Sequence, residues 1–152
     1  MASSIESRRS VLQTALEFSL SQVPRGRVGV DVVHIPTWRR HLELGGQALL
    51  DRVYTAGEVS FAAGRPERLA TRLAAKEAVL KLLGTGIRGV SLREVEVVSS
   101  ATGQPVVRLF GRAWSEALKT GSSNISISLC HEDEFAVAVA VSGPSAAKGG
   151  SE

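Results

Sequence analysis

Three ionisable residues stand where each needs a reason to be: Asp31 in an apolar run, Glu77 among leucines, and Lys81 one helical turn after Glu77. From Leu69 to Gly84, Leu69, Leu73, Leu80 and Leu83 recur at helical spacing. At about 100° per residue, Glu77 lies only ~40° around from Leu73, on the same broad face. Arg72 and Lys76 flank that face, so the spacing puts one acid within reach of three cations. By itself this describes an amphipathic helix carrying i,i+4 ion pairs. Asp31 interrupts RVGVDVVHI, where an unpaired charge is costly and a structural aspartate binding backbone amides would also meet the cost. Two carboxylates without a histidine or cysteine cluster suit a hard cation such as Mg²⁺, which commonly shares phosphate oxygens with a substrate. The neighbouring cations would serve the phosphates. His131, beside a turn between two strands, is a further candidate, although a surface histidine would look the same.

The elements that must position these groups can be read in order. Ser4 to Gln22 carries Ile5, Val11, Leu12, Leu16 and Leu20 near helical spacing, an amphipathic helix capped by Ser3 or Ser4. Arg27 to Ile35 reads as a largely buried strand, with Val28, Val30 and Val32 on one face and Gly29, Asp31 and Val33 on the other. Pro36 opens a helix through Trp38, Arg39, Arg40 and Leu42 toward Gly45 and Gly46, and a short helix follows over Gln47 to Val53. The arginine pair offers either a docking surface anchored by Trp38 or a solvated face. Thr55 caps a third helix, with Glu58 at the capping-box position. After the helix that ends at Gly84, strands are expected over Glu94 to Val98 and Pro105 to Phe110, joined by Ser99 to Gln104. A short helix over Gly111 to Lys119 precedes a hairpin of Ile125 to Cys130 and Phe135 to Ser142, turning through His131, Glu132, Asp133 and Glu134. This is an α+β domain, one long helix packed against an antiparallel sheet, over residues 27–142. It follows an N-terminal helical extension, residues 1–26, and leads into a small, polar, flexible tail, residues 143–152.

With 152 residues and 43% apolar side chains, the chain has room for one domain with a proper core. A net charge of +3 favours anionic partners, but fifteen acidic residues and only seven aromatic ones argue against a nucleic-acid coat or a base-stacking platform. One cysteine, Cys130, excludes an intrachain disulfide framework and fits a reducing cytoplasm. The N-terminus lacks the long apolar core of a signal peptide, and no run is long enough to span a membrane.

Four segments, in order, make a more specific pattern: VGVDVVHI, RLAAKEAVLKLLGTGI, TGQPVVRL and ISISLCHEDEFAVAVAV. Together they resemble the holo-[acyl-carrier-protein] synthase type of 4′-phosphopantetheinyl transferase, over roughly Arg27 to Val141. The resemblance implies that fold and a reaction in which phosphopantetheine passes from coenzyme A to a serine of an acyl carrier protein, releasing adenosine 3′,5′-bisphosphate. Matched to the family's motifs, Asp31 and Glu77 fall where Mg²⁺ is held, and Lys81 where a lysine approaches the diphosphate. Arg72, Lys76, Gly84 and His131 fall on positions near coenzyme A, with His131 at the nucleotide end. The carrier, from fatty-acid or polyketide synthesis, is the implied macromolecular partner. The family's small members are trimers with sites between subunits. A second apolar face on the long helix, Ala75, Ala78, Val79 and Leu82, fits burial on two sides, whether by a neighbouring subunit or by one subunit's own core.

Three positions depart from the family's pattern. Cys130 replaces the second hydroxyl of an S-x-S-H strand end, and His34 and Thr37 stand where an acid and a base are common. Arg39 and Arg40 could supply the cationic surface for an acidic carrier instead. These departures leave a second reading, a non-catalytic member of the same fold that binds coenzyme A or a carrier.

Overall fold

A computed structural model describes residues 26–86 and 88–143; the expected helix over Ser4 to Gln22 and almost all of the tail lie outside the described residues. The first element, β1 (Arg27–His34), leads directly into α1 (Ile35–Val53), with Pro36 in its first turn. Gly46 breaks this helix at φ 52°, so it is two helices meeting at a kink, as the glycine pair suggests. Helix α2 (Ala56–Ala62) starts with the expected capping box between Thr55 and Glu58. Helix α3 (Pro66–Leu83) is the organising helix, closed by Gly84 in the left-handed conformation at φ 78°. A 3₁₀ turn (Leu92–Glu94), β2 (Val95–Ser99), β3 (Pro105–Leu109), α4 (Gly111–Thr120), β4 (Ile125–Glu132) and β5 (Phe135–Ser142) complete the domain.

The strands form two antiparallel sheets, one ordered β1-β5-β4 and the other a β2-β3 hairpin that lies beside β4. Both hairpins are where the sequence pattern puts them, but β4 runs on through His131 and Glu132, leaving a two-residue turn at Asp133 and Glu134. The register pairs Asp31 with Ala138 and, across β5, Leu129. One face of the larger sheet, with Gly29, Asp31, Val33 and the alanines of β5, covers α3.

The other face differs from the sequence expectation. Val28, Val30 and Val32 are exposed, as is Val141 beside Val28. Thus β1 is buried on one side only, because no layer of the described residues covers the outer face of the sheet.

The long helix is also more deeply enclosed than an amphipathic reading allows. Between Leu69 and Leu83 every residue is buried except Glu77 and Lys81. The second apolar face, Ala75, Ala78, Val79 and Leu82, is covered by this chain's own core.

Gly29 sets the distance between β1 and α3. A Cβ there would overlap the carbonyl oxygen of Ala78 and lie 2.8 Å from the amide nitrogen of Leu82. Strand and helix backbones therefore touch. At the same end Arg27 donates from Nη1 to the carbonyls of Leu82 (3.3 Å) and Leu83 (3.4 Å), placing a cation on the C-terminus of α3. Replacing Gly29 by alanine should push strand and helix apart and cost about 1–3 kcal/mol in urea denaturation, the range for overpacking a rigid site; unchanged stability would refute the close contact.

Candidate active site

The contact at Gly29 brings Asp31, two residues along β1, to the edge of α3's C-terminal half that the other described residues leave open. Lys81 Nζ donates to Asp31 Oδ1 at 2.7 Å and to the carbonyl of Val30 at 3.0 Å. The ammonium stays half-exposed while the Asp31 carboxylate is largely enclosed, at 17% exposure. Glu77 lies one turn before Lys81 on the same edge. Burial raises its carboxyl pKa first, the nearby Asp31 charge adds to the rise, and Lys81 partly offsets it. No hydrogen bond or ion pair reaches the Glu77 carboxylate from the described residues. Two adjacent carboxylates, one lacking a protein donor and neither beside a thiol, have the chemistry of a hard-cation site completed by water or phosphate oxygens. The donor set fits Mg²⁺, with Asp31 and Glu77 as the residues to hold it. Gly84 sits just beyond, where its missing side chain leaves the end of α3 open beside Arg27.

The other expected site residues lie elsewhere around the helix. Lys76 is fully buried and turns away from Glu77 toward α2. Its Nζ meets Glu58 Oε2 at 2.6 Å and the carbonyls of Val53 (2.8 Å) and Leu92 (3.0 Å). An ammonium has three donors, and all three are used within this chain, so a phosphate contact at Lys76 would require one of these bonds to be exchanged. Burial lowers its pKa, and Glu58 opposes that shift. Arg72 is also buried, over the Phe61 ring at 4.1 Å from the centroid, with Nη2 3.4 Å from Ser99 Oγ. Its Nε is buried with no partner among the described residues. Of the three cations expected around Glu77, only Lys81 shares its open edge.

His131 faces the α3 side of the sheet, but on β4, opposite Ala136 and level with Val33. Two strands across and two residues along, it is on the order of 12 Å from Asp31. It lies instead toward the start of α3. There the Glu67 carboxyl is lowered chiefly by its own backbone amide and by Arg65, with a smaller effect from His131. One chain therefore brings Asp31, Glu77 and Lys81 together, with Gly84 one turn past Lys81 beside Arg27, and leaves His131 apart.

On α1, Arg39 and Arg40 are exposed, as a docking surface requires. Trp38 is not a free anchor, because its indole donates to Tyr54 Oη at 2.8 Å and packs on the core. The two unusual residues there, His34 and Thr37, bond to each other, Nδ1 to Oγ1 at 2.7 Å. Cys130 is exposed. The sequence reading missed Gly29 as the contact that brings the site together, Glu58 as the partner of Lys76, and Arg27 at the end of α3. Only Glu58 carried a local signal, its place in the capping box.

A model of the 4′-phosphopantetheinyl transferase superfamily matches residues 27–140. The holo-[acyl-carrier-protein] synthase of Gloeobacter violaceus is 47% identical over 116 residues, covering 74% of this chain and 88% of its own length. That of Shewanella amazonensis is 43% identical over 118 residues, covering 75% and 94%. Among solved structures, the synthase from Neisseria meningitidis superposes with a TM-score of 0.68 at 36% identity, over 76% of this chain and 96% of the other. A coenzyme A complex of the synthase from Chronobacterium ammoniagenes gives 0.66 at 29% identity, over 78% and 97%.

The raised Glu77 pKa has a defined effect on stability. Above the ordinary value of 4.5, the unfolded chain has released this proton while the folded chain still holds it. Stability therefore falls as pH rises through that window, and the loss persists above it. Glu77→Gln should melt higher than the parent at pH 7, with the gap closing below pH 4.5. Added Mg²⁺ should raise the melting temperature of the parent and leave the variant unmoved; an equal rise in both would exclude Glu77 as a ligand.

Proposed function

The chain belongs to the 4′-phosphopantetheinyl transferase superfamily, as an enzyme of the holo-[acyl-carrier-protein] synthase type, and from that premise we propose its reaction. It transfers 4′-phosphopantetheine from coenzyme A to a serine of an apo acyl carrier protein, with Mg²⁺, and releases adenosine 3′,5′-bisphosphate. The observation that carries this reading is the convergence of Asp31, Glu77 and Lys81 on the edge of a buried helix left open by the described residues.

The serine Oγ forms a bond to the phosphorus next to pantetheine. The bond from that phosphorus to the bridging oxygen breaks, and the serine proton is lost. Such a transfer leaves the protein little covalent chemistry and asks chiefly for in-line positioning and charge stabilisation. Lys81 is the group we assign to the diphosphate, because its ammonium is exposed and already held at the site by Asp31 and the Val30 carbonyl. Asp31 and Glu77 are the Mg²⁺ ligands, and the ion, when bound, neutralises charge on the diphosphate. Gly84 permits close backbone approach to the phosphates. Arg72, whose buried Nε lacks an acceptor, and His131 are assigned to the nucleotide end.

The separation of His131 from the other three is the argument for a site shared between subunits. We assign the outer face of the larger sheet, with Val28, Val30, Val32 and Val141 exposed, to the contact of a homotrimer. Arg39 and Arg40 meet the acidic carrier. The single thiol suits a cytoplasmic location.

Incubation of an apo carrier with the protein, coenzyme A and Mg²⁺ should add one phosphopantetheine group by intact mass. Asp31→Asn and Glu77→Gln should each slow this about 10²–10³-fold while remaining folded, the loss typical of a group that stabilises transition-state charge. Undiminished turnover in both would sink the proposed ligand pair. Val30→Lys should convert trimers to monomers in sedimentation and abolish transfer; a fully active monomer would place the whole site within one chain.

A further inference from the structure

A second apolar surface lies away from the site. Phe110, the N-cap of α4, and Trp114 and Leu118 within it are 48%, 44% and 56% exposed and follow one another at four-residue intervals, while Ala113 and Ala117 face the core. Among the described residues nothing covers this stripe. We propose that it seats this chain's own N-terminal segment, residues 5–20, as a parallel helix with Leu12 against Phe110, Leu16 against Trp114 and Leu20 against Leu118.

Three observations select this occupant. The chain enters the domain at the correct corner: the Arg27 amide donates to Ser142 Oγ at 3.3 Å, and Ser142 Oγ lies 3.3 Å from Ser122 Oγ, just past the end of α4. The four residues Val23 to Gly26 can span up to ~14 Å, enough to step from that corner onto the last turn of α4. The two stripes also match in spacing. Leu12, Leu16 and Leu20 recur every four residues, as do Phe110, Trp114 and Leu118, so both rows rise together at about 1.5 Å per residue. Because the segment runs toward Arg27 and α4 runs toward Ser122, the helices must be parallel, which fixes the pairing.

The third observation is the extent of the family match. It begins at residue 27, so the segment is additional to the shared domain and is free to serve a surface of this chain. The tail also leaves from this corner, but it offers only Pro144, Ala146 and Ala147 as apolar side chains, too small to cover an indole. The docking is independent of the transfer chemistry, since none of these residues belongs to the site.

The full-length chain tests it in two ways. With Trp38→Phe, Trp114 is the sole tryptophan, and acrylamide quenching reads its cover. Quenching should rise when Leu12→Asp and Leu16→Asp are introduced together, and equal quenching in both proteins would overturn the proposal. With Cys130→Ser, oxidation of a Leu20→Cys, Leu118→Cys pair should close a disulfide within one chain, lost when Leu12→Asp and Leu16→Asp are added. A disulfide formed only between chains would assign the stripe to a second copy and also overturn it.

Discussion

The backbone contact between β1 and α3 at Gly29 governs the rest of the site. Any side chain there would collide with the Ala78 carbonyl. Only because it is absent can the strand carboxylate Asp31 reach the Lys81 ammonium of the helix, on the edge that also carries Glu77. The same contact bears on the raised carboxyl pKa of Glu77, since burial and the nearby Asp31 charge both favour its protonated form.

A second constraint sets the rotation of α3 about its axis. Lys76 precedes Glu77 by one residue, or about 100° of rotation. Its ammonium is fixed by Glu58, whose other oxygen accepts the amide of Val97 at 2.9 Å, so α1, α2, α3, the 3₁₀ turn and β2 all meet at one ion pair. Buried ion pairs contribute little net stability against an apolar replacement, because desolvation offsets their attraction. What this pair supplies is orientation. With Lys76 directed into α2, Glu77 and Lys81 are directed to the edge beside β1.

The sequence revealed the elements well and their burial less well. Capping residues and terminating glycines act within a few positions, so Thr55, Glu58, Gly84 and Gly121 mark helix ends that the structure reproduces. The unusual placement of Asp31 and Glu77 was also legible, because a charge in an apolar run is visible without coordinates. The burial of Lys76 was not legible for a physical reason: a lysine beside a glutamate on a helix looks solvent-facing, and its partner in this chain, Glu58, lies on another helix. The outer valines of β1 were read as buried because a β-branched strand looks the same whether one layer or two cover it. His131 was read as part of the turn but lies within β4, and the number of strands between it and Asp31 depends on sheet order, which periodicity does not encode.

Lys81 has one more contact whose effect lies in the strand and not in the site. Its bond to the Val30 carbonyl satisfies a backbone acceptor of β1, a strand that pairs only with β5 among the described residues. A bare strand edge bordered by exposed valines is a template for indiscriminate pairing, and a lysine on the edge is a common defence against it. The same ammonium that holds the Asp31 carboxylate thus also caps an acceptor on the exposed edge of β1, so one side chain ties the geometry of the site to the strand's resistance to indiscriminate pairing.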